Sequence, residues 1–510
     1  MQILVKIKVW HIQAISYLLL LLPTSFFIIG WIRPLIAIPA IALLLTAWVS
    51  ILLHARKTQT AVYEIKIKTL VLICVILLLW CYMAGQGGFF YQSKDHQYRN
   101  AIFRDLIAFR WPVVYEQTGG SLVYYIGFWL IPASIGKLAN LFFSFETAWV
   151  VANSALFLWT FIFLFFASLL ILIYTKADSF LKVALAMIVF VSFSGMDIIG
   201  TLPTVHFNIH ALPNHLEWWA QTYQYSSNTT QLFWVYNQST PAWLATALFV
   251  NEKSVRNYVF LCLIILICSS FPAVGLLILL FGMGVYKLIP FIRSKQVTVF
   301  LKEAFSVQNI FAAVVILPII YLYFHTNQAV DGNRFQLNLY ANSSGWGTAI
   351  IKYASFCLLE FGFLSIILFR ENRKDILYWL AVVSLCCEGA FSLGVTVDFA
   401  MRASIPALLV LMMLTIRTLN DSIHITAIDG KRRFRIREVG IAVAILLIIG
   451  SATPMTECRR AVNAVLEYHQ LNLVADDVKT LSDKPPKDVS YFLAVNYKDS
   501  DFYKYLQKQS

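Results

Sequence analysis

The sequence predicts an all-α integral membrane protein, and three observations support this fold class. Of the 510 residues, 59% are hydrophobic and only 13% are charged. A soluble domain has about 25% charged and about 45–50% apolar residues. The mean hydropathy is +0.70, and apolar runs of about 20 residues, the length that crosses a bilayer, recur along the whole chain. Together these features place the chain in the membrane class.

Apolar segments of spanning character recur from residue 12 to residue 454. They lie near 12–31, 35–53, 69–84, 147–174, 183–200, 257–270, 271–290, 309–325, 347–369, 376–394, 403–419 and 438–454. Two further segments are ambiguous. Pro132, Gly136 and Lys137 interrupt the apolar segment 119–138, and segment 241–250 is short for a crossing helix. We expect about thirteen transmembrane helices, with 241–250 crossing and 119–138 lying along the membrane.

Charge counting sets the expected topology. With the N-terminus inside, every strongly basic loop falls on the inner side, and these loops are 54–68, 174–182, 251–257, 287–302, 370–374 and 417–437. The net charge of +13 is therefore a positive-inside signal, which argues against a nucleic acid partner. The expected location is the cell membrane, in a multi-pass arrangement.

We divide the chain into three parts. Residues 1–68 form an N-terminal two-helix membrane segment, whose first helix is retained because no small-residue cleavage site follows it. Residues 69–455 form the transmembrane core, and residues 456–510 form a small extracytoplasmic tail, with a helix expected from about 457 to 475. Motifs for soluble nucleotide binding are absent, and the eight cysteines contain no CxxC pair.

Polar residues gather in four stretches that this topology places outside. The stretch 86–120 contains Asp95, His96, Arg99 and Asp105. The other three stretches, 201–240, 325–346 and 395–402, contribute His215, Glu217, Trp218, Gln238, Arg334, Asp398 and Arg402. Facing loops at one end of a helical bundle form a cavity at the level of the lipid headgroups. Glu388 and Asp197, near the external ends of apolar segments, are further candidates for this cavity.

These residue types suit transfer of a sugar from a lipid-phosphate carrier. A carboxylate can accept a proton from an acceptor hydroxyl, and an arginine fork suits a lipid phosphate. Aromatic planes stack on sugar rings. Each element also has a structural alternative, because Asp95–Arg99 and Asp398–Arg402 have the i,i+4 spacing of simple ion pairs. The segment Glu217–Trp219 is equally suited to anchoring at the membrane interface.

The chain resembles the GT-C superfamily of polytopic glycosyltransferases. The resemblance rests on an early acidic external loop and on the runs DHQYRNAIFRDLIAFRWPVVY, HLEWWAQTYQYSS, FWVYNQSTPAWLATAL and DFAMRASIPAL. These runs look like those of bacterial members among cell-surface polysaccharide proteins. The resemblance covers roughly residues 69–455.

The resemblance implies a polyprenyl-phosphate sugar donor, a glycan or lipid acceptor, and an inverting reaction on the external face. It implies Asp95 as the base, with Asp105 as second choice. It also implies Arg402 as the contact to the donor phosphate, with Arg99 and Arg334 as alternates.

Two departures from the family pattern matter. The acidic loop follows the third apolar segment rather than the first. His96 follows Asp95, so a DxD metal site is not supported; no cofactor is certain, and a divalent cation stays open. Two other classes remain as alternatives, a transporter or flippase of lipid-linked glycans and a polysaccharide polymerase. A polymerase loop should be rich in arginine, and residues 201–240 contain none.

Overall fold

The computed structural model describes most of the chain. The described residues are 4–116, 119–327, 333–335, 342, 345–393, 398–428, 431–469, 479–484 and 489–508. For 333–335, 392–393, 425–428 and 431–434 the description is limited to the backbone. The described part is predominantly helical, so the all-α membrane class predicted from composition is confirmed at this level.

Nine helices in the described residues are long and apolar enough to cross a membrane. They are Val9–Trp31, Pro34–Thr58, Phe145–Tyr174, Phe180–Thr204, Ser270–Arg293, Val307–His325, Trp346–Asn372, Ile405–Ser422 and Glu438–Tyr468. Two of them are interrupted, into Phe180–Ser192 with Asp197–Thr204, and into Glu438–Gly450 with Ala452–Tyr468. The expected count of thirteen is not confirmed in the described part of the chain.

The other helices in the described residues do not meet both the length and the apolarity of a span. Three apolar ones are Ile67–Met83, Val255–Ile264 and Ile376–Glu388. The remaining α-helices outside the long spans are His96–Ala108, Gly127–Ala139, Asn228–Asn251, Val297–Ala304 and Asp398–Ala403.

Both ambiguous segments have a different structure from a simple span. Segment 119–138 contains a strand at Gly120–Leu122 and the 13-residue helix Gly127–Ala139. A helix of that length extends about 20 Å, less than the hydrocarbon thickness. Segment 241–250 is the second half of the 24-residue helix Asn228–Asn251. The expected external stretch 201–240 therefore runs directly into a helix inside the bundle.

Short antiparallel strands connect the helices. Leu4–Lys8 pairs with Val62–Lys66, and Ile423–Ile428 pairs with Lys431–Ile436. Asn333–Phe335 pairs with Phe391–Leu393. A three-stranded sheet has Gly120–Leu122 between Val114–Tyr115 and Leu493–Ala494 from the C-terminal tail.

Contacts gather basic loops at one end of the bundle, which we call the basic end. Three hydrogen bonds link these loops: Tyr63 Oη to Ala177 O at 3.4 Å, Asn420 Nδ2 to Thr175 O at 3.3 Å, and Lys287 Nζ to Lys253 O at 2.9 Å. Loops that are distant in sequence therefore meet there, as the positive-inside argument predicts.

The C-terminal tail packs at the opposite end. Its residue Gln507 bridges to Ile32 and accepts a hydrogen bond from Arg33 Nε at 2.9 Å. The observed helix is Ala452–Tyr468 rather than 457–475, so it begins before the expected boundary at 456 and belongs to the same apolar helical region as the last span.

The first helix is packed into the core rather than set beside it. Tyr17 Oη donates to Glu252 Oε1 at 2.7 Å, and Thr24 Oγ1 donates to the backbone oxygen of Ile264 at 2.8 Å. The Phe27 ring lies 4.7 Å from that of Tyr323. Segment 1–68 therefore shares its core with the rest of the bundle.

Helix Asn228–Asn251 lies at the centre of the bundle. Its N-cap Ser227 accepts the backbone N–H of Thr230 at 3.0 Å, which satisfies one of the free N-terminal donors. It packs against Phe145–Tyr174 and Ile405–Ser422, and nearly all its side chains are buried. Backbone torsions are non-helical at Val235, so the helix is interrupted in its first half.

The close packing beneath Arg402 gives a testable prediction. A Cβ at Gly275 would overlap the backbone oxygen of Ala403, whereas a Cβ at Gly284, on the same helix, meets nothing within 4 Å. We expect Gly275→Ala to lower the free energy of unfolding by about 1–3 kcal/mol. Gly284→Ala should be neutral or stabilising by up to about 1 kcal/mol. Thermal unfolding in detergent measures both, and equal midpoints would contradict the packing.

Candidate active site

A rigid loop sets the position of Asp95. Gly85, at a positive φ of 71°, accepts Gln92 Nε2 on its backbone oxygen at 2.8 Å. Gln92 Oε1 in turn accepts Asn100 Nδ2 at 2.8 Å. The loop before helix His96–Ala108 is thereby tied to the helix itself, and Asp95 stands immediately before the first helical residue.

Asp95 and Arg99 form the expected ion pair one helical turn apart. Arg99 NH2 lies 3.3 Å from Asp95 Oδ2. The two side chains differ sharply in exposure, because Asp95 is 51% exposed and Arg99 only 7%. A pair on a solvated helix face would expose both members, so this arginine points into the protein while its carboxylate faces outward.

Arg402 is the second buried arginine at this end. Its NH1 donates to Tyr125 Oη at 2.8 Å, and its NH2 lies 3.3 Å from Asp398 Oδ1. Burial favours the neutral guanidine, but neighbouring acidic groups, Asp398 first and Asp95 among them, raise the pKa of Arg402 above its ordinary value. Arg402 is therefore charged.

Tyr124 joins the two arginines. Its hydroxyl donates to that of Tyr125, and the ring centroids are 3.6 Å apart. Burial raises the pKa of Tyr124 above its ordinary value, whereas the charges of Arg402 and Arg99 both act in the opposite direction. The ring of Phe492 lies 5.6 Å from that of Tyr98 and 4.8 Å from that of Tyr124, so helix His96–Ala108 is joined to the two tyrosines. We call Asp95, Arg99, Tyr124, Tyr125, Asp398 and Arg402 the arginine-pair site.

His96 is buried beneath the arginine-pair site. Its Nδ1 is 3.0 Å from Ser93 Oγ, and its ring stacks on Tyr236 at 5.7 Å. Burial, followed by the charge of Arg99, lowers the pKa of His96 to about 3. The ring is therefore neutral at physiological pH and suits hydrogen bonding rather than charge compensation.

Gln238 lies two residues further along the central helix. Its backbone oxygen accepts Ser269 Oγ at 2.7 Å, and Ser269 is two residues from Phe271, whose ring is 6.0 Å from the Arg402 guanidinium. The Gln238 side chain is fully buried.

Several buried polar atoms around the site have no partner in the described part of the chain. They are Arg99 NH1, Arg402 Nε, His96 Nε2 and both amide atoms of Asn237 and Gln238. An unpaired buried donor costs about 1–3 kcal/mol. Such atoms are rare in folded proteins, and a bound ligand, ion or water is one way to satisfy them.

His215 and Glu217 belong to a neighbouring group, which we call the His215 cluster. His215 Nδ1 lies 2.7 Å from Glu457 Oε1, and its Nε2 lies 3.8 Å from Glu217 Oε2. Trp234 Nε1 donates to Glu457 Oε2 at 3.0 Å, and Arg460 pairs with the same oxygen. Trp218 is 62% exposed and meets the His215 ring edge-on at 4.7 Å.

The electrostatics of the cluster favour protonated forms. Burial alone would lower the pKa of His215, but its hydrogen bond to Glu457 and the charge of Glu217 raise it above its ordinary value. Burial raises the pKa of Glu217 to about 7, although Ser226 Oγ and the Ser227 N–H donate to it at 2.7 and 2.9 Å.

The arginine-pair site and the His215 cluster are adjacent. The Arg460 guanidinium lies 4.9 Å from the Trp234 ring and 6.0 Å from that of Tyr91. Tyr91 precedes Asp95 by four residues, and Trp234 precedes Tyr236 by two. The same loop and the same helix therefore contribute to both groups.

The remaining acidic candidates have structural partners. Asp197 Oδ2 accepts Ser194 Oγ at 3.1 Å and Thr453 Oγ1 at 2.8 Å. Glu388 Oε1 accepts Ser384 Oγ at 2.8 Å. Both residues are buried near the external ends of their helices, as the sequence indicates, and their second oxygens, Asp197 Oδ1 and Glu388 Oε2, have no partner in the described part of the chain. No contact joins either residue to Asp95 among the described residues.

Asp105 lies away from Asp95 and against the tail. Its Oδ2 accepts Tyr115 Oη at 2.6 Å and the backbone N–H of Leu481 at 3.1 Å. Burial raises the pKa of Asp105 to about 6. The second-choice base is thus a buried acceptor that holds the C-terminal tail, on a part of helix His96–Ala108 that does not face the arginines.

Sequence reasoning missed several members of these groups. Tyr124 and Tyr125 lie in the ambiguous segment 119–138. Their position next to the external stretch 86–120 was the sequence signal that could have identified them as site residues. Glu457 and Arg460 lay in the tail, whose expected role was packing. The side chain of Arg334, a predicted phosphate contact, lies outside the described residues.

The described residues contain no group of three or more His, Cys, Asp or Glu side chains arranged to hold a metal ion. His206 and His210 are exposed, whereas His215 is buried. Comparison with protein-family models, with curated proteins and with solved structures finds no match for this chain.

The buried Asp105 predicts a pH dependence of stability. Its pKa of about 6 in the folded protein exceeds its ordinary value of 3.8, so the folded state binds more protons between these values. The free energy of unfolding should therefore fall as pH rises from about 4 to about 6, by at most about 3 kcal/mol. Asp105→Asn keeps an acceptor for Tyr115 and Leu481 and should flatten this slope. Thermal unfolding at pH 4.5 and 7 measures it, and an unchanged slope in the variant would contradict the assignment.

Proposed function

We propose that this chain is an integral membrane glycosyltransferase that moves a sugar from a polyprenyl-phosphate carrier to an acceptor hydroxyl. The observation that carries the proposal is a half-exposed carboxylate paired with the buried Arg99, together with a second buried arginine, Arg402, at the same end; each arginine has an N–H group that has no partner in the described residues. A carboxylate and a pair of guanidinium groups are the minimum needed to activate a hydroxyl and to bind a phosphate leaving group.

The arginines suit the donor phosphate. Arg99 NH1 and Arg402 Nε are buried donors, and a guanidinium presents its donors in a planar fork that matches phosphate oxygens. Negative charge grows on the phosphate as the sugar bond breaks. Donors that are fixed in place before the reaction stabilise that charge without reorganising.

Asp95 suits the acceptor hydroxyl. Only its Oδ2 contacts Arg99, and half of the side chain is open to the surface. In the proposed step the acceptor oxygen bonds to the anomeric carbon and its proton passes to the Asp95 carboxylate. The bond between that carbon and the phosphate oxygen breaks, and the electron pair leaves with the phosphate. Attack opposite the leaving group inverts the anomeric centre.

The location and the acceptor follow from this proposal rather than from separate observations. The arginine-pair site lies at the end of the bundle opposite the basic end, which in a bacterial plasma membrane is the extracytoplasmic face. The His215 cluster, with Trp218 at its surface, lies beside it and suits a glycan or lipid-linked acceptor.

A transporter of lipid-linked glycans is the second candidate, and one observation favours it. The central helix Asn228–Asn251 is interrupted at Val235 and carries the unpartnered amides of Asn237 and Gln238. Interrupted helices with polar groups inside the bundle are a feature of transporters. Movement of a labelled lipid-linked glycan across vesicles, with no sugar transfer, would support this function instead.

The first functional prediction concerns Asp95. Asp95→Asn keeps an oxygen for Arg99 but cannot take the proton, so we expect sugar transfer to fall by about 100- to 10,000-fold. The measurement is transfer of radiolabelled sugar from a panel of polyprenyl-phosphate sugars in lipid. The matched control is Asp178→Asn, because Asp178 forms the same i,i+4 pair with Lys182, at 3.2 Å, at the basic end. Full activity in Asp95→Asn would remove this residue from the mechanism.

The second functional prediction concerns Arg402. Arg402→Lys keeps the charge but loses the planar fork, so KM for the lipid donor should rise roughly tenfold or more. KM for the acceptor should stay close to the wild-type value. Arg437→Lys, at an exposed ion pair with Glu371, is the control. A rise in KM for the acceptor, with an unchanged KM for the lipid donor, would show that the assignment of Arg402 to the donor phosphate is wrong.

A further inference from the structure

A second polar cavity opens at the basic end of the bundle. Its volume is about 780 Å³, and it lies between the ends of helices Pro34–Thr58, Ser270–Arg293 and Val297–Ala304. The loop after the central helix completes its wall. The cavity is therefore at the opposite end from the arginine-pair site and plays no part in the chemistry proposed there.

The charged residues that line the cavity are predominantly basic. Four cationic side chains, those of Lys253, Arg256, Lys287 and Arg293, stand against two carboxylates, those of Glu252 and Glu303. His54 adds an imidazole. A wall with an excess of cations favours an anionic ligand.

Both carboxylates are engaged by the fold. Glu252 Oε1 accepts Tyr17 Oη at 2.7 Å and Asn257 Nδ2 at 3.0 Å. Glu303 Oε2 accepts Ser254 Oγ at 2.8 Å. The two acids therefore fix the loop after the central helix. Their charges act on Lys287, so the excess of positive charge rests on Lys253, Arg256 and Arg293.

Lys287 also has structural partners, whereas Arg256 retains an unused donor. Lys287 Nζ donates to Tyr258 Oη at 2.7 Å and to the backbone oxygen of Lys253 at 2.9 Å. Arg256 Nε is buried and has no hydrogen-bond partner among the described residues. Arg293, also in the cavity wall, is exposed at the end of its helix. Two guanidinium groups are thus available to an anion.

The rest of the wall is apolar. Ile51, Ile289, Phe291 and Phe300 line the same cavity, and Ile289 is 40% exposed on a candidate spanning helix. A ligand with a charged head and a hydrocarbon body matches both parts of the wall. A small hydrated anion would match only the arginines.

We propose that this cavity binds a phosphate group, carried by an anionic phospholipid of the adjacent leaflet. Arg256 and Arg293 contact the phosphate, and the acyl chains lie along the exposed side of helix Ser270–Arg293. The basic end is the side on which anionic lipids attract arginine and lysine. The site is independent of the glycosyltransferase proposal, because it shares no residue with the arginine-pair site.

The test compares three probes on the purified full chain in detergent. These are phosphatidylglycerol, zwitterionic phosphatidylcholine and inorganic phosphate. Native mass spectrometry counts retained lipid, and thermal unfolding gives an apparent Kd for each probe. We expect tight retention of about one phosphatidylglycerol, with weaker effects of the other two probes.

Matched double variants locate the site. Arg256→Gln with Arg293→Gln should raise the apparent Kd for phosphatidylglycerol roughly tenfold or more. Arg56→Gln with Lys57→Gln removes the same charge from exposed positions at the same end that do not line the cavity, and it should leave the Kd unchanged. Arg293→Gln alone, at an exposed position, keeps the test available if the first double variant unfolds.

The outcomes separate the sources of the phosphate. Protection against thermal unfolding by phosphatidylglycerol supports the lipid site if it is lost only in the variants of Arg256 and Arg293. Protection by inorganic phosphate, lost in the same variants, keeps the phosphate site but assigns it to a soluble ligand. The proposal would be overturned if both double variants lost this protection equally. It would also be overturned if neither phosphatidylglycerol nor inorganic phosphate protected the wild type.

Discussion

The polar half of helix Asn228–Asn251 must be enclosed by protein, and the rest of the bundle depends on this requirement. Gln231, Asn237, Gln238 and Thr240 are fully buried, and such amides and hydroxyls cannot face hydrocarbon without a large cost. Helices such as Phe145–Tyr174, Ile405–Ser422 and Val9–Trp31 pack around this helix. Ile405–Ser422 is itself almost entirely buried, so it belongs to the same inner layer of the bundle.

Residues on either side of the interruption at Val235 contact two different clusters, the His215 cluster and the arginine-pair site. Trp234, just before it, donates to Glu457 in the His215 cluster, and Tyr236, just after it, stacks on His96 beneath the arginine-pair site. Tyr236 Oη also accepts Trp129 Nε1 at 2.8 Å, which ties helix Gly127–Ala139 to the same point. Because these contacts share a buried support, the two groups keep a fixed relation to each other.

Charge divides the molecule into two ends with different chemistry. Basic loops meet at one end around buried carboxylates such as Glu252, and the arginine-pair site lies at the other. The arginines differ correspondingly, because Arg437 forms an exposed ion pair with Glu371, while Arg99 and Arg402 are buried with donors unused. An arginine that suits a ligand has an unused buried donor or a place in a cavity wall, as Arg256 and Arg293 have at the basic end, whereas Arg437 is already paired at the surface.

The sequence by itself determined the membrane class, most helix positions and the gathering of basic loops, because hydropathy and charge are local properties. It also indicated Asp95, His96, Arg99, Asp398 and Arg402, since ionisable residues between apolar segments are rare. It did not determine the number of spans or the place of 228–251, because a polar segment looks external until neighbouring helices are seen to cover it. Only the tertiary structure separated Asp95 from Asp105 and brought Tyr125 and Glu457 to their partners. These contacts join residues hundreds of positions apart, and side-chain burial exists only once the chain is packed.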